Sequence, residues 1–94
     1  MQLLVDEDID RYAFEHTSPE PEPLQALAAR TQKDMRDPEM LTGRVEGRLL
    51  KMIVQLCRPR FILDVGTFTG YSALSMAEGL NENGRIVTCE INPV

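Results

Sequence analysis

Two carboxylates bracket a glycine-bearing loop in this sequence. Asp64 precedes Gly66-Thr67-Phe68-Thr69-Gly70, and Glu90 follows Gly70 by 20 residues. Apolar runs lead into both acids, Phe61-Ile62-Leu63 into the first and Ile86-Val87-Thr88-Cys89 into the second. Acids seldom end two neighbouring apolar strands for structural reasons alone. Gly66 lets the chain turn tightly out of a strand, and Gly70 lets a helix or a ligand approach the backbone. A carboxylate at the end of the second strand can accept both hydroxyls of a ribose. Loop and acid together point to an adenosine-containing cofactor.

The residue types narrow the choice. The dinucleotide fingerprint G-x-G-x-x-G needs glycines at 66, 68 and 71, and the chain has Phe68 and Tyr71 at the last two. A P-loop needs a lysine where Gly70-Tyr71-Ser72 offers none. Asp64 would repel a pyrophosphate. It suits a cofactor with a positive end, and S-adenosylmethionine carries both an ammonium and a sulfonium.

The elements that must position these residues can be read from periodicity. Phe61–Val65 reads as a strand, residues 71–78 as a helix, Asn81-Glu82-Asn83-Gly84 as a turn and residues 85–91 as a second strand. Ala73, Leu74, Ala77 and Leu80 share one face of that helix. Strand, loop, helix and strand in this order form a βαβ unit with parallel strands, whose ligand lies at the carboxyl end of the first strand. Residues 1–57 read as helical. A first helix runs from about Glu7 to His16, with Ile9, Tyr12 and Ala13 on one face. Ser18-Pro19-Glu20-Pro21-Glu22-Pro23 stops it as a surface connector. A second runs from about Pro23 to Met35 with Leu24, Leu27, Ala28 and Thr31 as its buried stripe, and Asp37-Pro38 marks the break. A third runs from about Gly43 to Leu56, where Val45, Leu49, Met52, Ile53 and Leu56 step at helical spacing. Thr42 can cap it, with Glu46 near the reciprocal position of a capping box.

Composition bounds the rest. The 94 residues allow one small domain, and the net charge of −5 disfavours a partner bound through phosphate charge, so no nucleic acid is expected. No apolar run approaches the length of a membrane span, and the acidic opening has no basic leader, so no membrane is expected and the cytoplasm is the expected compartment. Cys57 and Cys89 are expected to be buried, reduced thiols without a disulfide. With His16 alone beside them they make no zinc site. His16 reads as a helix-end residue.

Residues 62–74, Ile62 through Gly66-Thr67-Phe68-Thr69-Gly70-Tyr71-Ser72 to Leu74, resemble motif I of the cation-dependent O-methyltransferases, the caffeoyl-CoA and catechol O-methyltransferase family. Residues 40–50, from Met40-Leu41-Thr42-Gly43 to Leu50, resemble the segment that precedes that motif, and Glu90-Ile91-Asn92 resembles the acid after the second strand. The resemblance covers roughly residues 8–94. It implies an α/β fold: N-terminal helices followed by the first βαβ unit of a Rossmann-like, S-adenosylmethionine-dependent methyltransferase sheet, truncated after the ribose acid.

By matching position, Thr42 would lie against the methionine end of the cofactor. Asp64 and Ser72 would hold its amino and carboxylate groups. Gly66 and Thr67 would line it through the backbone, with Tyr71 nearby, and Glu90 would bind the ribose. Thr42 and Ser72 also suit helix caps, and Tyr71 suits packing. The family's metal ligands and catalytic lysine follow the second strand, so neither a catalytic residue nor a metal ligand is expected in this chain. A divalent metal such as Mg belongs to the complete enzyme, and the 94 residues alone are expected to be inactive. The acceptor would be a hydroxyl of a catechol-like small molecule, and the assembly a homodimer. Two rivals stand beside this reading: a non-catalytic binding or oligomerisation module, and a nucleotide-binding oxidoreductase fragment.

Overall fold

The computed structural model describes residues 5–36 and 40–92. Six elements follow one another: α1 (Glu7–Glu15), α2 (Glu22–Asp34), α3 (Gly43–Cys57), β1 (Phe61–Val65), α4 (Tyr71–Ala77) and β2 (Arg85–Cys89). Each lies within about two residues of its expected bounds, the largest difference being β2, which ends at Cys89 rather than Ile91. The break expected at Asp37-Pro38 falls outside the described residues.

The strands are parallel, with Asp64 opposite Thr88 and Val65 opposite Cys89. This register brings the two strand ends level, so the loop after β1 and Glu90 after β2 leave the sheet side by side. α4 packs against α3, α2 and β2, and α1 touches α3. Leu24, Val54, Tyr71 and Ala73 form the buried apolar core. In α2 the expected stripe holds: Leu24 and Thr31 are buried, Leu27 and Ala28 half-buried.

Other expectations meet corrections. The apolar stripe of α3 is periodic but uncovered: Val45, Leu49, Met52, Ile53 and Leu56 are 40–75% exposed. At 100° per residue that stripe lies opposite Gly47, Leu50, Lys51 and Val54. The side turned to α4 is the one with Gly47, where a Cβ would come 2.8 Å from the Tyr71 ring and 2.9 Å from Ser75 Oγ. Close helix approach therefore selected the smallest residue rather than the most apolar face. Ile9 and Tyr12 of α1 are exposed as well, with the Tyr12 ring stacked on His16 rather than packed in the core. In α4 Leu74 is 51% exposed, while Tyr71, Ala73 and Ser75 are buried.

Thr42 does not cap α3. Its backbone is already helical (φ −59°, ψ −51°) and its side chain makes no capping hydrogen bond. A capping threonine needs extended backbone to turn its hydroxyl back on the first amides. Both cysteines are free and exposed, not buried. Cys57 is the last residue of α3 and Cys89 the last of β2, where the packed layers have ended. His16 caps α1 at its C-terminus, as expected of a helix-end residue. No described helix is long and apolar enough to cross a membrane.

Candidate cofactor-binding site

The loop after β1 is built on backbone hydrogen bonds to the end of β2. Gly66 and Thr67 both donate to Cys89 O, at 2.8 and 3.1 Å, and Gly70 N donates to Thr67 O at 2.8 Å. Gly66 (φ 93°) and Gly70 (φ 91°) take left-handed backbone. A Cβ on Gly66 would meet nothing within 4 Å, so this residue presents bare backbone to open space.

Asp64 stands at the centre of a hydroxyl cluster. Thr88, its partner across the sheet, donates to Asp64 Oδ2 at 2.7 Å. Thr67 Oγ1 and Thr88 Oγ1 are 2.6 Å apart. The single proton of Thr88 goes to the carboxylate, so Thr67 is the donor of that pair. Ser72 Oγ lies 3.4 Å from Asp64 Oδ1, a long contact that leaves this oxygen accepting capacity. Sequence reading missed Thr88. The signal was available once the strands are taken as parallel and in register, because Thr88 then faces Asp64.

Glu90 holds the other side of the loop. Its Oε1 accepts from Phe68 N at 2.8 Å, and its Oε2 from Ile91 N and Asn92 N, both at 3.2 Å. Phe68 has φ 50°, a strained value for a bulky residue, and its N–H is held there by Glu90. The Phe68 N–H, with those of Asn92 and Ile91, keeps the carboxyl below its ordinary acidity range.

Tyr71, the first residue of α4, is 2% exposed. Its hydroxyl donates to Glu20 Oε2. Arg44 Nε and Nη2 donate to Glu20 Oε1 at 3.2 and 3.1 Å. Burial of Glu20 opposes its ionisation, but the Tyr71 and Arg44 hydrogen bonds and the Arg44 charge outweigh this and hold its pKa below the ordinary value. Burial and the Glu20 carboxylate push the Tyr71 phenol up. In the sequence Glu20 reads as part of a connector and as an acid near the start of α2 that suits the helix dipole, since nothing local marks it as buried. On the far side of the loop, Thr69 Oγ1 meets Thr31 Oγ1 of α2 at 3.0 Å.

These pieces enclose two adjoining hollows. A small one of about 40 Å³ is lined by Met40, Leu41, Thr42, Gly66, Thr67, Phe68, Tyr71 and Ser72. A cleft of about 450 Å³ shares Met40 and Phe68 with it and is lined by Glu90, Asn92, Asp34, Met35 and Arg36. Thr42, Gly66, Thr67, Tyr71 and Ser72 thus meet around one hollow, Asp64 touches it through Ser72, and Glu90 lines the next. Among the described residues no group of three or more His, Cys, Asp or Glu is placed to hold a metal ion.

The sequence profile of the O-methyltransferases matches residues 14–94. The chain belongs to the O-methyltransferase family. It is 33% identical, over 93% of its length, to a catechol O-methyltransferase of Niastella koreensis. Over 97% of its length it is 37% identical to a catechol O-methyltransferase domain-containing protein of Mus musculus. Over 78% it is 37% identical to a caffeoyl-CoA O-methyltransferase of Petunia hybrida. The chain spans only 39%, 35% and 30% of the lengths of these O-methyltransferases. Among solved structures it resembles an SAH-bound methyltransferase of Podospora anserina, with TM-score 0.85 and 26% identity, covering 99% of this chain and 42% of that one. An O-methyltransferase of Bacillus cereus in complex with SAH gives TM-score 0.79 and 29% identity, covering 92% and 39%. The fold is a segment of the Rossmann-like methyltransferase fold: helices, then a parallel βαβ unit.

Proposed function

We propose that this chain forms the methyl-donor half of an S-adenosylmethionine-dependent O-methyltransferase. The observation that carries the reading is the pair of carboxylates, Asp64 and Glu90, on either side of a bare-backbone loop in a chain of this family. Asp64 has an unfilled oxygen to offer an ammonium, and Ser72 stands beside it. Gly66, where a Cβ would fill empty space, leaves room for a ligand against the backbone. Thr42, Thr67 and Tyr71 border the same hollow. Glu90 binds a ribose diol through the accepting capacity that its three N–H contacts leave over. When bound, the cofactor supplies an electrophilic methyl on sulfur. The residues of this chain hold and orient it, which supports position rather than proton transfer.

The acceptor is a hydroxyl of a catechol-like or related small molecule, a reading supported by the names of the relatives. A divalent metal would assist by lowering the pKa of that hydroxyl in a complete enzyme. The described residues do not fit such a metal, since Asp64 and Glu90 are engaged by hydroxyls and amides and stand in no cluster of ligands. The 94 residues alone are therefore proposed to bind the cofactor without transferring its methyl. A homodimer is the proposed assembly, supported by the outward apolar stripe of α3, and gel filtration reads it directly. The cytoplasm is the proposed compartment, supported by two free cysteines.

Calorimetric titration of the purified protein with S-adenosylmethionine and with NAD tests the central claim. Binding of the first and not the second is expected. Binding of NAD alone would return the oxidoreductase reading.

A further inference from the structure

We propose that Glu20 is a positioning residue for the cofactor loop, clamping the starts of α3 and α4 together across the small hollow. The proposal rests on the cofactor reading for its consequence, not for its geometry. Glu20 lies between two prolines, Pro19 and Pro21, yet is only 6% exposed. A carboxylate is rarely that buried unless it is fully paired. Here both oxygens are used, one by the Tyr71 hydroxyl and one by two nitrogens of Arg44.

Tyr71 follows Gly70 directly and opens α4. Arg44 lies two residues from Thr42 and opens α3. Tyr71 and Thr42 line the same hollow. One side chain thus fixes the distance between its two walls while touching neither Asp64 nor Ser72. Glu20 is itself held, because Gln25 Nε2 donates to its carbonyl at 2.8 Å. The flanking prolines restrict its backbone. Arg44 is held from behind by the Phe14 ring, 4.1 Å from its guanidinium carbon. The clamp therefore has little freedom to follow the loop, and the loop must sit where the clamp puts it.

Glu20→Gln keeps the size of the side chain but removes the charge and leaves one amide oxygen where two carboxylate oxygens accepted from Tyr71 and Arg44, so the Tyr71 hydroxyl proton loses its acceptor when that oxygen serves Arg44. Two measurements on the purified protein decide the matter. Amide hydrogen exchange is read first, without ligand. The Gly70 and Leu74 amides should exchange about tenfold faster, with those of the β1–β2 ladder unchanged. Uniform acceleration, or none, would overturn the clamp. Calorimetry is read second. SAH binding should weaken about five- to twentyfold, while adenosine, which needs only the Glu90 cleft, stays within about twofold. Equal weakening of both ligands would overturn the proposal. Tyr71→Phe removes a single oxygen and should reproduce both patterns, and the double variant should lose no more than the larger single loss. If the unsubstituted protein bound neither ligand, the cofactor reading would fall, while the exchange result would still decide the clamp.

Discussion

Glu90 does two things at once, so its removal has two consequences. Glu90→Ala takes away an acceptor from the cleft and frees the Phe68 N–H from the contact that holds its left-handed backbone. Cofactor affinity should fall about tenfold or more, the scale of a lost charge-assisted hydrogen bond. Asp64→Asn should also weaken S-adenosylmethionine, because it removes a charge facing an ammonium. Adenosine has a ribose and no ammonium. It should therefore lose affinity with Glu90→Ala and keep it with Asp64→Asn, and calorimetry with both ligands on both variants checks this. A loss of adenosine binding with Asp64→Asn would show that Asp64 does not lie at the methionine end. Glu20 makes a different kind of prediction. Its folded pKa lies below the ordinary 4.5, so the unfolded state binds more protons in that range. Its stabilising contribution is then complete above that value and is lost as pH falls through the folded pKa. Urea midpoints measured from about pH 7 down to about pH 3 should drop for the unsubstituted protein and drop less steeply for Glu20→Gln.

At the scale of elements, the contact between α3 and α4 decides where Tyr71 stands. Gly47→Ala gains helix propensity, worth about 1 kcal/mol. It also puts a methyl 2.8 Å from the Tyr71 ring and 2.9 Å from Ser75 Oγ. Overpacking of that kind costs about 1–3 kcal/mol, and the Tyr71 ring is anchored by Glu20 and cannot yield freely. The substitution should lower stability, read as a lower urea midpoint. Ser75→Ala should do the opposite. Its hydroxyl is fully buried and finds no hydrogen-bond partner among the described residues, so removing it should raise stability by about 0.5–2 kcal/mol. These two residues also mark what could be read beforehand. Helix and strand bounds, the parallel pairing and the loop with its two acids were legible, because they rest on local periodicity and turn chemistry. The packed side of α3 was not, because periodicity marks the apolar side and the neighbour chose the small one. Glu20 and the exposure of Cys57 and Cys89 were illegible for a related reason. Each depends on which distant element arrives beside it, and Thr42 failed as a cap because its own backbone is helical.

The whole molecule leaves much apolar surface uncovered by its own described residues. Phe61, Leu63 and Val65 of β1 are 59–80% exposed, and Val87 of β2 is 46% exposed. Leu63 and Val87 are direct partners in the parallel ladder, so they crowd one face of a two-stranded sheet. Two parallel strands need cover on both faces, and α4 supplies it on one. The family relatives are more than twice as long, which leaves ample chain in those proteins to form a second layer. The 94 residues studied by themselves should accordingly bind the hydrophobic-surface dye ANS and associate as concentration rises, despite their net charge of −5. Leu63→Lys with Val87→Lys places two charges on that face without touching the α3–α4 contact or the loop. Dye fluorescence should fall by about half or more, with helical circular dichroism unchanged, if this face is the dominant exposed patch. Leu49→Glu with Met52→Glu on the outer side of α3 makes the comparison, since that stripe is also exposed. The sheet pair should lower dye binding more than the helix pair, because a pleated apolar face beside unpaired strand edges is flatter and stickier than a single helical stripe. A larger fall with the helix pair would make α3, not the sheet, the surface that most needs covering.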